Sequence, residues 1–296
     1  MAVTQEILEQ VEMLRKLFKE GDEKRDAGLD PHPSDIERID NLSYGSDPTW
    51  HLLDLYLPKK RPNKIPTIIN IHGGGWVYGN KEVYQFFGLS MAQAGFAFVN
   101  FNYRLAPEVT FPAELDDVNQ AVHWVAKHAN QYGLDKENIF FIGDSAGGQM
   151  TMQYLTILTN PDYRALFGYE KPDLSVRAAA IHCGASFIMI PGCIEGAPQA
   201  YFTDEILQTQ VEKLQVENYM TSALPPLFLT TANQDFIRDC TIRLNGYLLG
   251  KGIDHEFHSY GGPENPKGHV FNYNLRDPEA LRCNQATIAF FKKHLS

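Results

Sequence analysis

The pentapeptide Gly-Asp-Ser-Ala-Gly at residues 143–147 is the feature that most constrains how this chain can fold. An apolar run at 139–142 leads directly into it, and a helix-compatible run at 149–155 follows it. This order predicts a strand, a tight turn and a helix, with the hydroxyl of Ser145 exposed at the top of a sheet. The flanking glycines leave room for the turn, and the helix directs its N-terminal amides at any anion formed there. Ser145 is therefore a candidate nucleophile.

Short apolar runs alternate with helical patterns along most of the chain, and several runs are nearly continuous, as in strands buried on both faces. The predicted strands cover residues 51–57, 67–71, 96–101, 139–142, 176–185, 227–231 and 255–260. The predicted helices cover residues 82–93, a long segment from Pro112, a segment after the serine turn to about Leu158, and residues 238–250 and 278–294. We therefore expect an α/β fold with a mostly parallel central sheet and helices on both faces.

Two segments depart from this alternation. Residues 4–20 have the apolar spacing of an amphipathic helix, and residues 22–48 are polar and read as a mostly irregular connection. Residues 186–224 are loop-like at first and then amphipathic around 206–214. We expect both segments to form a small helical cap above the sheet. The predicted organisation is an N-terminal cap segment at 1–48 and a catalytic domain at 49–296, with a cap insertion at about 186–224.

The composition excludes several classes of partner. The formal net charge is −10, so nucleic acid and anionic membranes are poor partners, since both attract clustered Lys and Arg. No run approaches the roughly 18 apolar residues of a membrane span. The four cysteines show neither metal-ligand spacing nor a disulfide framework. We expect a cytoplasmic protein with no metal and no cofactor.

A nucleophilic serine needs a base, and the base needs an orienting carboxylate. In the α/β-hydrolases, which carry this serine motif, these residues follow the serine in the order acid, then histidine. Among the ten histidines, His269 lies in a loop between the last strand and the last helix, where it can reach the carboxyl edge of the sheet. Asp235 follows the strand at 227–231 and is the preferred acid, and Asp239 is the alternative. His182 lies in an apolar run and is expected to pack in the core.

Five motifs together resemble the hormone-sensitive-lipase-like esterases of the α/β-hydrolase superfamily. They are His72-Gly73-Gly74-Gly75 with Gly79, Asn102-Tyr103-Arg104-Leu105-Ala106-Pro107-Glu108, residues 143–148, Asp235, and Gly268-His269-Val270-Phe271. The resemblance runs from about Asp54 to the C-terminus and implies an α/β-hydrolase fold.

The resemblance also implies site residues. The family's nucleophile, acid and base fall on Ser145, Asp235 and His269. Its oxyanion-hole donors fall on the backbone N–H groups of Gly74, Gly75 and Ala146, with Gly73 as a substitute for one of them. Trp76 and Asp144 are candidates for substrate binding, and a structural hydrogen-bonding role is the other interpretation of Asp144.

The predicted function is that of a serine carboxylesterase, which hydrolyses short-chain acyl esters through an acyl-enzyme on Ser145. An alternative is an acetyl esterase acting on xylan or oligosaccharides. A second alternative, from another class, is a non-catalytic ligand-binding protein on a hydrolase scaffold. The expected partner is a small-molecule ester, and the sequence leaves a homodimer open.

Overall fold

A single sheet dominates the computed structural model, which describes residues 3–296. Its eight strands have the spatial order β1-β2-β4-β3-β5-β6-β7-β8. The strands are β1 (Ile36–Ser43), β2 (Leu52–Pro58), β3 (Ile65–Ile71), β4 (Ala97–Phe101), β5 (Leu134–Asp144), β6 (Val176–His182), β7 (Leu227–Ala232) and β8 (His255–Tyr260). The pairs β1–β2 and β2–β4 are antiparallel, and the other neighbours are parallel. The predicted mostly parallel sheet is confirmed.

The helices follow the predicted alternation closely. Within the described residues they are α1 (Gln5–Asp26), α2 (Gln85–Gln93), α3 (Ala113–Tyr132), α4 (Ser145–Thr159), α5 (Pro161–Phe167), α6 (Asp204–Thr209), α7 (Val211–Leu214), α8 (Arg238–Lys251) and α9 (Pro278–Lys293). No helix in that range is both long and apolar enough to cross a membrane.

The sheet is covered on both faces because neighbouring side chains of its central strands point to opposite sides. Phe141 of β5 belongs to a core cluster that includes Val118 of α3 and Leu155 of α4. Its neighbour Phe140 belongs to a second cluster, which includes Phe87 of α2 and Phe291 of α9. Strand β5 is therefore buried on both faces. For this reason its sequence is continuously apolar and does not alternate between apolar and polar residues.

The central position of β5 determines where Ser145 lies. Gly143 at its carboxyl end is in register with Ile71 of β3 and Ile181 of β6. Parallel strands present their carboxyl ends at one edge of a sheet. The segments that follow β3, β5, β6 and β7 therefore begin side by side at this edge.

Two elements were not predicted from the sequence. Residues 36–43, which were expected to be irregular, form the edge strand β1. Its pairing with β2 is interrupted between Ile39 and Leu42, where Asn41 has φ +60°. The bulge interrupts the alternation of apolar and polar residues along the strand. Because β1 is also partly exposed at the edge of the sheet, the segment lacks the apolar pattern of a buried strand. The short helix α5 was also missed.

The cap segments pack into the main core. Val11 of α1 is fully buried, and it shares one apolar cluster with Phe202 and with Leu214 of α7. The helices α6 and α7 occupy the part of 186–224 that was predicted to be amphipathic. Strand β1 lies on the cap side of the boundary predicted at residue 48, and the division into cap and catalytic domain stays a prediction.

Candidate active site

Ser145 lies on a strained turn between β5 and α4. Its φ is +50°, in the left-handed region that residues with a Cβ rarely adopt. The neighbouring glycines are required by space. A Cβ on Gly147 would lie 2.0 Å from the carbonyl oxygen of Ile71, and one on Gly143 would lie 2.2 Å from Thr151 Oγ1. The turn therefore holds the serine at the carboxyl edge of the sheet, as the motif predicts.

Asp235 and His269 form a short hydrogen bond at the same edge. His269 Nδ1 lies 2.7 Å from Asp235 Oδ1, and the aspartate side chain has no exposed surface. Because an ionised carboxylate only accepts, Nδ1 carries the proton and Nε2 has its lone pair free to accept one. The alternative acid, Asp239, is exposed and pairs with Arg243. The structure therefore brings the preferred acid to the histidine.

Several donors hold the Asp235 carboxylate. Thr231 Oγ1 donates to Oδ2 at 2.9 Å, and the N–H of Ile237 donates to Oδ1 at 3.1 Å. Burial on its own would raise the pKa of Asp235. The hydrogen bond and charge of His269, the Ile237 N–H and the Cys183 thiol outweigh burial and lower this pKa below its usual value. Asp235 is therefore an anion that can orient an imidazole and stabilise its protonated form.

The glycine loop after β3 adopts a backbone that depends on its glycines. Gly74 has φ +121°, and a Cβ there would lie 1.9 Å from the carbonyl oxygen of Tyr78. Gly75 has φ +63° and open space on its Cβ side. The N–H of Gly73 already donates to Asp144 Oδ1 and Tyr84 Oη, each at 3.0 Å. Gly73 is therefore occupied, which favours Gly74, Gly75 and Ala146 as the oxyanion-hole donors.

Asp144 is buried and hydrogen-bonded within the protein. Its side chain accepts hydrogen bonds from Tyr84 Oη at 2.9 Å, Tyr273 Oη at 3.0 Å and the Gly73 N–H. Only 1% of the residue is exposed. Burial raises its pKa to about 6, against the opposing effect of the two tyrosine hydrogen bonds. Both oxygens are thus bonded within the protein, which favours the structural interpretation of Asp144, and its role in substrate binding stays a prediction.

Trp76 lies beside a small cavity. It is 4% exposed, packs edge-on against Phe202 and donates its indole N–H to Gln149 Oε1 at 3.3 Å. Gln149, which is one helical turn from Ser145, also lines a cavity of about 20 Å³. Met152 of α4, Ile188 after β6, and the cap residues Leu214, Val216 and Met220 contribute to the cavity wall. The role of Trp76 in substrate binding stays a prediction.

The described residues include one group that resembles a metal site. Potential ligand atoms of Cys183, Asp235 and His269 lie within 4.8 Å of one another. The carboxylate and the imidazole are already joined by a hydrogen bond, and Cys183 Sγ accepts one from the N–H of Val270. We therefore interpret the group as the acid and base with a neighbouring thiol. The sequence analysis missed Cys183, Tyr84 and Tyr273, which carry no local signal because they reach the site from distant segments.

Comparisons with known proteins agree with the fold. The family model BD-FAE matches residues 53–187. LipM of Mycobacterium tuberculosis, a probable carboxylic ester hydrolase, is 35% identical over 47% of this chain and 32% of its own length. The chain thus spans about a third of the length of LipM, and similarly of the esterases LipQ and LipC.

Longer matches cover the whole fold. Carboxylesterase NlhH of M. tuberculosis is 26% identical over 87% of this chain and 83% of its own. Esterase B from Lactobacillus rhamnosis superposes with a TM-score of 0.86 at 25% identity, over 99% of this chain and 96% of its own. With the fold and the site, these relatives confirm the resemblance of the chain to the hormone-sensitive-lipase-like carboxylesterases of the α/β-hydrolase superfamily.

Proposed function

We propose that this protein is a serine carboxylesterase that hydrolyses short-chain acyl esters through an acyl-enzyme on Ser145. The observation that carries the proposal is the 2.7 Å bond between His269 and the buried Asp235, at the sheet edge where Ser145 is held on its strained turn. The relatives LipM, LipQ and NlhH, which are named as ester hydrolases, support it.

One short segment links the three residues. The N–H of Ala185 donates to the carbonyl oxygen of Ser145 at 3.0 Å. Two residues earlier, the Cys183 sulfur accepts from Val270, which follows the base, and lies beside Asp235. Residues 183–185 therefore hold the nucleophile turn, the acid and the base loop together.

The mechanism follows from these positions. His269 Nε2 removes the proton of the Ser145 hydroxyl as the oxygen attacks the ester carbonyl. The resulting oxyanion accepts hydrogen bonds from the N–H groups of Gly74, Gly75 and Ala146, each worth roughly 2.7–4 kcal/mol. The protonated histidine then gives its proton to the leaving alcohol. A water molecule, deprotonated by the same nitrogen, hydrolyses the acyl-enzyme and regenerates the serine.

Replacement of the nucleophile tests the reaction. We expect Ser145→Ala to lower kcat for p-nitrophenyl acetate by a factor on the order of 10⁶, because no other group can form the acyl-enzyme. Ser175→Ala is the matched control, since that hydroxyl lies outside the site and bonds only to Glu137 in the described structure. A Ser145→Ala variant within tenfold of wild type would refute the proposal, and an inactive wild-type protein would favour the ligand-binding alternative.

The small cavity lined by Gln149 and Met152 of α4 supports a preference for short acyl groups. Its volume of about 20 Å³ is small, and the cap residues Leu214, Val216 and Met220 close one side of it. Each buried CH₂ contributes about 0.8 kcal/mol, so kcat/KM rises with chain length only until the cavity is full. The crystal structure of esterase B with a tributyrin phosphonate, an analogue of a four-carbon ester, agrees with such a preference.

A chain-length series tests this preference. We expect kcat/KM for p-nitrophenyl esters to peak at about two to six carbons and then fall, and Leu214→Ala to move the peak to longer chains. The esters are compared below their micelle thresholds. A steady rise to twelve carbons in the wild-type protein would contradict the preference.

Acetylated sugars, added to the ester series, test the carbohydrate alternative. Ser186 lines the cavity, and its buried Oγ has no hydrogen-bond partner among the described residues, so it offers a site for a polar substituent. Faster release of acetate from acetylated xylo-oligosaccharides than from p-nitrophenyl acetate would favour this alternative. Cytoplasmic location and a homodimer remain predictions, which cell fractionation and light scattering can test.

A further inference from the structure

Cys183 occupies a position that connects the acid to the base. It directly follows β6 and is fully buried, and its φ is +50°. Its own N–H is bonded to the carbonyl oxygen of Thr230 in β7 at 2.8 Å. The residue is therefore fixed between the segment that follows β6 and the strand that leads to Asp235.

The sulfur lies between the acid and the backbone beside the base. The N–H of Val270, the residue after the base, donates to Cys183 Sγ at 3.4 Å. A carboxylate oxygen of Asp235 lies within 4.8 Å of the same sulfur. A thiol can donate through its hydrogen and accept through its sulfur, so one side chain can serve both neighbours.

The acid has one acceptor position left for the thiol. A carboxylate has about four acceptor positions. Oδ1 of Asp235 accepts from His269 and from the Ile237 N–H, and Oδ2 accepts from the Thr231 hydroxyl. The Cys183 thiol lies beside the carboxylate, where it can supply a fourth donor. A carboxylate held in this way cannot rotate away from the imidazole without breaking several bonds.

We propose that Cys183 is a positioning residue of this active site, whose thiol fixes the Asp235 carboxylate while its sulfur anchors the backbone beside His269. The inference rests on the proposed esterase function, because it assigns Cys183 a part in orienting that acid and base. The residue itself does not contact the substrate.

A nucleophilic or redox role does not fit this cysteine. Burial raises the pKa of the Cys183 thiol well above its ordinary value, and the charge of Asp235 adds to that effect. The group therefore stays protonated and keeps the hydrogen that it donates. Reactive cysteines, in contrast, are exposed thiolates in electropositive surroundings.

Three variants separate positioning from packing. We expect Cys183→Ala to lower kcat about tenfold with KM changed less than twofold, because the acid loses a weak donor and the base loop an acceptor. Cys183→Ser keeps both functions and should stay within about threefold of wild-type kcat. Cys283→Ala is the matched control, since Cys283 is equally buried in α9 and lies in a separate core cluster.

The outcomes that overturn the inference are distinct. Full kcat in Cys183→Ala, equal losses in the alanine and serine variants, or an equal loss in Cys283→Ala would each refute it. Should Cys183→Ala not fold, Cys183→Gly replaces it, because glycine adopts φ +50° without strain, and the same tenfold loss is expected. Failure of the proposed function is recognised separately, by wild-type activity that does not depend on Ser145.

Discussion

Asp144 shows how much of this site depends on a residue that takes no part in the chemistry. Its carboxyl group joins the glycine loop, through Gly73, to Tyr84 and to Tyr273, which lies four residues after the base. The next residue in the chain is Ser145, the proposed nucleophile. One buried group therefore fixes the glycine loop relative to the serine turn.

The raised pKa of Asp144 predicts a pH dependence of stability. The folded state holds this proton up to about pH 6, whereas the unfolded chain releases it near the ordinary value of 3.8. Since the native state binds more protons in this window, the stability due to Asp144 is present below pH 4 and is lost as the pH rises to 6. We expect wild type to lose about 3 kcal/mol more than Asp144→Asn across it. Urea unfolding of both proteins at pH 4, 5, 6 and 7 measures the difference. The same pH dependence of the free energy of unfolding in the two proteins would contradict the prediction.

Helix α1 forms hydrogen bonds with the segment that follows the glycine loop. Arg15 donates from Nε to the carbonyl oxygen of Val77 at 2.8 Å and from Nη2 to that of Ala106 at 2.9 Å. Asp22, two turns further along, accepts from the hydroxyl of Tyr78 at 2.9 Å. The helix thus contacts the chain just after the glycines, so a segment distant in sequence contributes to the geometry of the proposed oxyanion hole.

We expect Arg15→Ala to lower kcat between about 3- and 30-fold, because small displacements of positioned groups are costly in catalysis. The expected change in the unfolding midpoint is small, since Arg15 lies at the edge of the core and not within it. Lys16→Ala on the same helix is the control, because the Lys16 side chain is 79% exposed. Equal kcat values for the two variants would show that the hydrogen bonds of Arg15 are dispensable.

The elements that the sequence predicted well are those with a local signal. The buried strands β3, β5 and β7 are apolar runs bounded by turn residues, and their alternation with helices indicates a mostly parallel sheet. Strand β1 escaped prediction because it lies at the edge of the sheet and carries a bulge at Asn41. Helix α5 begins at Asn160-Pro161, which is a typical start of a helix. It was missed because the helix is only seven residues long and shows no clear apolar period.

The site divides in the same way. Ser145, Asp235 and His269 could be proposed because a short motif and the chain order restrict them. The contacts of Tyr84, Tyr273 and Cys183 could not, since each depends on segments that meet only in the folded protein. For Asp144 the sequence left two interpretations open for this reason: its partners lie 60 to 129 residues away along the chain.

At the scale of the whole molecule, the cap and the sheet share one apolar core. A single cluster contains Val11 of α1, Phe202 and Leu214 of the cap, and Ile69 and Phe141 of the sheet. No separate apolar core holds the cap segments together within the described residues. The cap therefore depends on the sheet for its stability.

This shared core predicts that the cap does not unfold on its own. We expect thermal unfolding followed by tryptophan fluorescence to coincide with unfolding followed by far-ultraviolet circular dichroism. The test is sharpest in Trp50→Phe/Trp124→Phe, where the remaining Trp76 reports on its contact with Phe202. A fluorescence transition well below the loss of helical signal would show that the cap opens as a separate unit.

The crowding around the serine turn has a consequence for how such a gene can diverge. A Cβ at Gly147 would meet the backbone oxygen of Ile71, which cannot move without displacing β3. Gly246 on α8 has open space where a Cβ would lie and no positive φ, so substitutions there meet no steric barrier. Descendants of this gene can therefore exchange most of their cap and outer helices while the turn keeps its glycines. The short motif at residues 143–147 would then remain recognisable as evidence of common descent after the overall sequence identity had become low.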